Sequence, residues 1–242
     1  MSDVVAMSDV TVVLVHGAFA ESASWSGVIP LLQAAGHRVV AAANGLRSLD
    51  GDAAAVSGVV SSIDGPVVLA GHSYGGSVIT NAARGHDNVR ALVYIAAFAP
   101  ADGESVGDVQ GADSGSTLGE TLAPVPLADG TTDLYIRPDR FHEQFAADLS
   151  GEQAALMAAT QRPARDVVLT DRSGAPAWLT VPSWFLLAGS DRNIPVEVQR
   201  FMAERAGAKQ IVEVDGASHA IPVAHPDKVA ELILAAVAAQ VP

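Results

Sequence analysis

The residues Gly71-His-Ser-Tyr-Gly75 stand directly after the apolar run Pro66-Val-Val-Leu-Ala70. A short run rich in valine and leucine, closed by glycine, predicts a buried parallel strand. A serine with glycine two residues before and two after it has a mechanical reading. In a sharp turn from strand into helix the two glycines are forced together, and the serine hydroxyl is lifted clear of the backbone. The residue after the serine, Tyr74, then opens the helix with an unpaired N–H. The rival reading is a polar loop that contains glycine and serine without consequence. What stands at the other strand ends decides between them.

Working outward, Thr11-Val-Val-Leu-Val15 predicts a first strand, and Ser24 to Gly36 a helix with Trp25 as a core residue. A strand over His37–Ala43 and a helix capped by Asp52 and running to Ile63 follow. After the Pro66–Ala70 strand come a helix from Gly75 to about Arg84 and a strand over Val89–Ala97. This alternation predicts an α/β fold: a mostly parallel sheet of about six strands with helices on both faces. The rhythm stops at Pro100 and resumes at Val181, with a strand to Ala188, a helix over Pro195–Ala206, a strand over Gln210–Val214 and a last helix from Pro226 to about Gln240. Residues 10–99 and 181–242 are therefore expected to form one core domain. Residues 100–180 are expected to form a mainly helical cap, with helices near Phe141–Ala147 and Glu152–Thr160. A structureless loop of that length inside a compact domain is improbable.

Ligands of open α/β sheets sit at the carboxyl ends of the strands. Those ends carry His16-Gly-Ala-Phe19, the Gly71–Gly75 turn, Gly189-Ser-Asp-Arg192 and Gly216-Ala-Ser-His219. A serine, an acid and a histidine in that chain order suggest nucleophilic catalysis by Ser73, with His219 as base and Asp191 as its orienting acid. Asp102 is the rival acid, and Asp215 reads as a turn or capping residue. His16, His37, His72, His86, His142 and His225 read as packing, hydrogen-bonding or surface residues. An apolar pocket is expected from Phe19, Tyr74, Phe98 and Ile221 beside the motifs and from Phe141, Phe145 and Trp178 in the cap.

Composition excludes several other functions. The chain has 242 residues, 27 acidic against 14 basic, and a net charge of −13, which disfavours nucleic acid and anionic membranes as partners. It has no cysteine, so disulfides, thiolate metal sites and cysteine nucleophiles do not arise, and a reducing, cytoplasmic setting fits. Residues 1–9, with Met-Ser-Asp-Val occurring twice, read as a flexible leader without signal-peptide character. Neither a phosphate loop nor a dinucleotide fingerprint occurs, and the histidines and acids lack metal-ligand spacing, so no cofactor and no metal are expected. An apolar cap surface would suit a homodimer.

Val13–Ala18, Ala70–Gly76, Ala188–Arg192, Ile194–Phe201 and Asp215–Pro222 together resemble the α/β-hydrolase superfamily. More narrowly, the chain is similar to small bacterial esterases related to plant methylesterases and hydroxynitrile lyases. The resemblance implies an α/β-hydrolase fold and a carboxylesterase working through an acyl-enzyme on Ser73. It also implies an oxyanion hole from the backbone N–H groups of Ala18 and Tyr74, with Phe19 as the alternative donor. Hydroxynitrile lyases of this group carry Thr and Lys where this chain has Gly17 and Ala220, which argues against cyanohydrin cleavage. The expected partner is a small neutral ester. Thioester, lactone or C–C hydrolysis by the same triad, and a low-turnover receptor, are the alternatives.

Overall fold

The computed structural model describes residues 10–111 and 114–240, so the leader expected at residues 1–9 lies outside the described residues. The core begins with β1 (Thr11–Val15), α1 (Val28–Ala34), β2 (Arg38–Ala42), α2 (Leu49–Ser61), β3 (Val67–His72), α3 (Tyr74–Ala82) and β4 (Val89–Ile95). An intervening segment holds α4 (Val106–Gln110), α5 (Leu118–Thr121), β5 (Leu122–Pro126), β6 (Thr132–Ile136), α6 (Pro138–Phe145), α7 (Gly151–Thr160) and β7 (Ala164–Arg165). The core closes with β8 (Ser183–Ala188), α8 (Val196–Arg205), β9 (Gln210–Val214), α9 (Ile221–Ala224) and α10 (Pro226–Ala238).

Six strands form one parallel sheet in the order β2-β1-β3-β4-β8-β9. Successive residues of β3 feed opposite faces: Val67 and Leu69 join one apolar cluster, Val68 and Ala70 the other. Both faces are covered, which is why these strands read as unbroken apolar runs. The chain leaves β1 for β2 on one side and returns to β3 on the other, so the crevice where the strand order reverses lies between β1 and β3. Val15 pairs with Gly71, which sets the turn after β1 beside the turn after β3. Likewise Ala188 pairs with Val214, which sets the loops after β8 and β9 side by side.

Three local expectations change. The helix expected from Ser24 is a 3-10 turn over Ser22–Trp25 followed by α1. A continuous helix would need an N–H on Pro30 to bond the carbonyl of Ser26. Starting at Val28 puts Pro30 in the first turn, where no intrahelical donor is needed. Asp52 does not cap α2; Ser48 does, accepting from Gly51 N, and Asp52 is buried and bonded to the Tyr74 hydroxyl. The third change lies in the intervening segment, which carries a three-stranded antiparallel sheet, β5-β6-β7, that periodicity did not reveal. Its strands are short, and β5 contains Pro124 and Pro126, which an edge strand tolerates. Arg47 joins the core to the intervening segment through Asp133 (2.5 Å) and the carbonyl of Pro163 (2.7 Å). Among the described residues no helix is long and apolar enough to cross a membrane.

Candidate active site

Ser73 is the hinge between β3 and α3, with φ 55° and ψ −125°. That conformation strains any residue with a side chain, so the surrounding structure must enforce it. A Cβ on Gly71 would lie 2.5 Å from the carbonyl oxygen of Gly75, so the two glycines touch as the spacing implied. Gly17 is pressed against the serine itself, where a Cβ would lie 2.5 Å from Ser73 Cβ. The Tyr74 amide, first of α3, meets no acceptor among the described residues, and neither does that of Ala18. Phe19 differs: its N–H donates to the carbonyl of Arg162 at 3.1 Å. Of the three amides expected as donors, that of Phe19 is thus engaged, while those of Ala18 and Tyr74 are free among the described residues.

Asp191 and His219 meet across the adjacent loops, Oδ2 to Nδ1, at 2.6 Å, both side chains fully buried. Asp191 Oδ1 also accepts from the amides of Asn193 (2.7 Å) and Ile194 (2.9 Å), and Oδ2 from Gln199 Nε2 (3.1 Å). Three donors besides the imidazole thus converge on this carboxylate. It holds the proton of His219 on Nδ1, which makes Nε2 the acceptor. Nε2 is buried with no hydrogen-bond partner among the described residues, Ser73 Oγ included. Asp102, the rival acid, makes no bond to His219.

The histidine loop is clamped by the intervening segment. Ser218 donates to Asp148 from both its amide (3.0 Å) and its hydroxyl (2.5 Å), and the amide of Ala220 donates to the carbonyl of Phe145 (2.9 Å). The Phe145 ring stands edge-on to the imidazole, centroids 4.9 Å apart. Nothing in the local sequence around Asp148 signalled this contact, which joins residues 70 positions apart.

His16 and His72 brace the two turns as neutral rings. His16 donates from Nδ1 to the carbonyl of Gly17 (2.9 Å) and accepts at Nε2 from Asn44 N (3.1 Å). Burial, opposed in part by the Gly17 bond, lowers its pKa to about 4. His72 donates from Nε2 to the carbonyl of His219 (2.8 Å), and burial holds its pKa well below the usual histidine range. From pH ~6.5 down to about 4 the unfolded chain therefore binds protons that the native histidines refuse. Stability is expected to fall with pH across that window, by about 3 kcal/mol from His16 alone. Urea midpoints at pH 7 and 4.5 measure this. His16→Gln should flatten the dependence, and an equally steep loss in that variant would refute the assignment.

A cavity of about 320 Å3 opens onto Ser73, Ala18 and Tyr74. Phe19 and Phe98 line it, as expected. Four other expected pocket residues do not. Phe141 and Phe145 are buried and stacked on each other, and Phe145 touches the imidazole instead of the cavity. Trp178 turns away, donating to the carbonyl of Pro100 and lying under the Arg205 guanidinium. Ile221 is sealed in the core beneath the sheet. The walls come instead from Val106, Leu118, Leu122, Leu169 and Ile194, with Gln110 and Asn193 as polar members. Asn193 and Ile194 follow Asp191 closely and were the readable signal; the leucines carried none. Among the described residues no cluster of three or more metal-ligating side chains occurs.

The chain is similar to known proteins in sequence and in fold. The sequence model described as "Alpha/beta hydrolase family" matches residues 12–232. Salicylic acid-binding protein 2 of Nicotiana tabacum is 28% identical over 92% of this chain and 95% of its own length. A pyrethroid hydrolase of Sphingobium wenxiniae is 29% identical over 94% of this chain and 87% of its own. The crystal structure of polyneuridine aldehyde esterase superposes with a TM-score of 0.81, covering 93% of this chain and 98% of that one at 21% identity.

Proposed function

The chain belongs to the α/β-hydrolase family, and from that membership we propose that it is a serine carboxylesterase for small neutral esters. Ser73 Oγ attacks the ester carbonyl while His219 Nε2 takes the hydroxyl proton. The tetrahedral oxyanion accepts hydrogen bonds from the amides of Ala18 and Tyr74, each worth about 3–4 kcal/mol in the transition state. Collapse breaks the bond to the alcohol, which leaves with the proton from Nε2. Water then repeats the sequence on the acyl-enzyme, releasing the acid and restoring Ser73. Asp191 keeps the imidazole in the Nδ1–H form and stabilises its cation. Residues 100–180 act as the cap that closes the apolar cavity over the serine.

The observation that carries this reading is the buried Asp191–His219 pair, together with a strained serine on the wall of an apolar cavity. Relatives named as a pyrethroid hydrolase and as methylesterases support ester cleavage. The few polar groups on the cavity wall and the net charge of −13 favour neutral substrates over anions.

A fluorophosphonate probe tests the reading directly. We expect one adduct, mapped by mass spectrometry to Ser73 and lost in Ser73→Ala. A panel of esters, thioesters and lactones then separates the activities open to such a serine. Absence of the adduct, with ligand-induced stabilisation and little product, would support a receptor instead.

A further inference from the structure

A second cavity, of about 280 Å3, lies beside the first. Ala20 and Ala23 bound it from the turn after β1, Leu156, Met157 and Thr160 from α7, and Val223 from α9. Ser73 is on the wall of the first cavity and not of the second, and Phe19 is on the wall of both. Phe19 is therefore the partition between them. Its backbone is unusual for a side chain of that size, with φ 60°, and it is held by the bond from its amide to Arg162, just past the end of α7. The segment just past the helix that lines the second cavity thus holds the partition. At the rim Leu156 is 66% exposed, an apolar side chain left in water beside a mostly apolar hollow.

We propose that the second cavity binds the apolar portion of an ester too long for the first, and that Phe19 sets how far a chain can extend past Ser73. The occupant is a neutral alkyl or aryl group. Glu21 on the wall and the acidic balance of the chain oppose a carboxylate end. Turnover of such an ester rests on the esterase reading above; binding of its apolar part does not.

The test compares p-nitrophenyl acetate with p-nitrophenyl decanoate in the wild type, Met157→Trp and Phe19→Leu. Met157→Trp fills the second cavity from a half-buried position, and thermal melting checks that it folds. It should lower the ratio of kcat/KM for the long ester over the short one roughly tenfold, as a few methylene groups lose their burial. Phe19→Leu should raise the same ratio. A ratio unchanged in both variants, with hydrolysis still dependent on Ser73, overturns the inference and leaves the esterase reading standing. A second readout needs no turnover. Neutral 2-dodecanone is titrated calorimetrically into Ser73→Ala with and without Met157→Trp, and the tryptophan should weaken binding roughly tenfold. If neither ester is hydrolysed but this weakening is seen, the esterase reading fails and the second cavity stands. If neither ester is hydrolysed and the tryptophan leaves binding unchanged, both fail.

Discussion

Replacing His219 with alanine is expected to lower kcat/KM for an ester substrate by a factor on the order of 10^4–10^6. Without Nε2 the serine proton has no acceptor in the transition state, and the leaving alcohol has no acid. The three other side chains or amides that donate to Asp191, from Asn193, Ile194 and Gln199, remain in place. The carboxylate is therefore not stranded, and the fold should survive with the cost of a cavity beside Phe145 and His72, about 2–4 kcal/mol. Steady-state kinetics on a p-nitrophenyl ester, with a melting curve on the same sample, measure both effects. A loss below tenfold in a folded variant would mean that the base lies elsewhere.

Asp191→Asn should cost about 10^4-fold in kcat with KM little changed. The reason lies in the donors that surround the carboxylate. An asparagine has one oxygen where Asp191 has two. If it faces the amides of Asn193 and Ile194, its NH2 group faces Nδ1 of His219. Nδ1 must then accept, the ring proton moves to Nε2, and the base presents a proton where it needs a lone pair. Turning the amide over restores the imidazole but sets NH2 against two backbone N–H groups, a buried clash of donors. Either way the active tautomer is disfavoured. A tenfold effect or less would pass the orienting role to another acid, and Asp102 would be tried next.

Much of the fold was legible because the rules that shape it are short in range. Fully buried parallel strands write themselves as runs of four or five apolar residues with a glycine within two positions of the end, as at Thr11–Val15 and Ser183–Ala188. The turn at Ser73 was legible for the same reason: two glycines that must touch can be recognised four residues apart. The edge strand β5, with two prolines in five residues, offered no such pattern. The bond that engages the Phe19 amide goes to Arg162, far along the chain, which local spacing cannot register.

The pocket shows where local reading ends. Aromatic residues of segment 100–180 were expected to line the pocket because they are large and apolar, but Phe141, Phe145 and Trp178 are buried where that segment packs on the core. That packing is set by links such as Arg47 to Asp133 and Ser218 to Asp148, between residues 86 and 70 positions apart. The sequence by itself determined the sheet, the order of the strand-end turns and the residue types brought to the crevice, since periodicity and glycine spacing act within a few residues. Only the tertiary structure decided which amide stays unpaired, which side of each ring faces the cavity, and that Phe19 stands between two hollows. Those outcomes depend on contacts between distant segments, whose geometry no local pattern encodes.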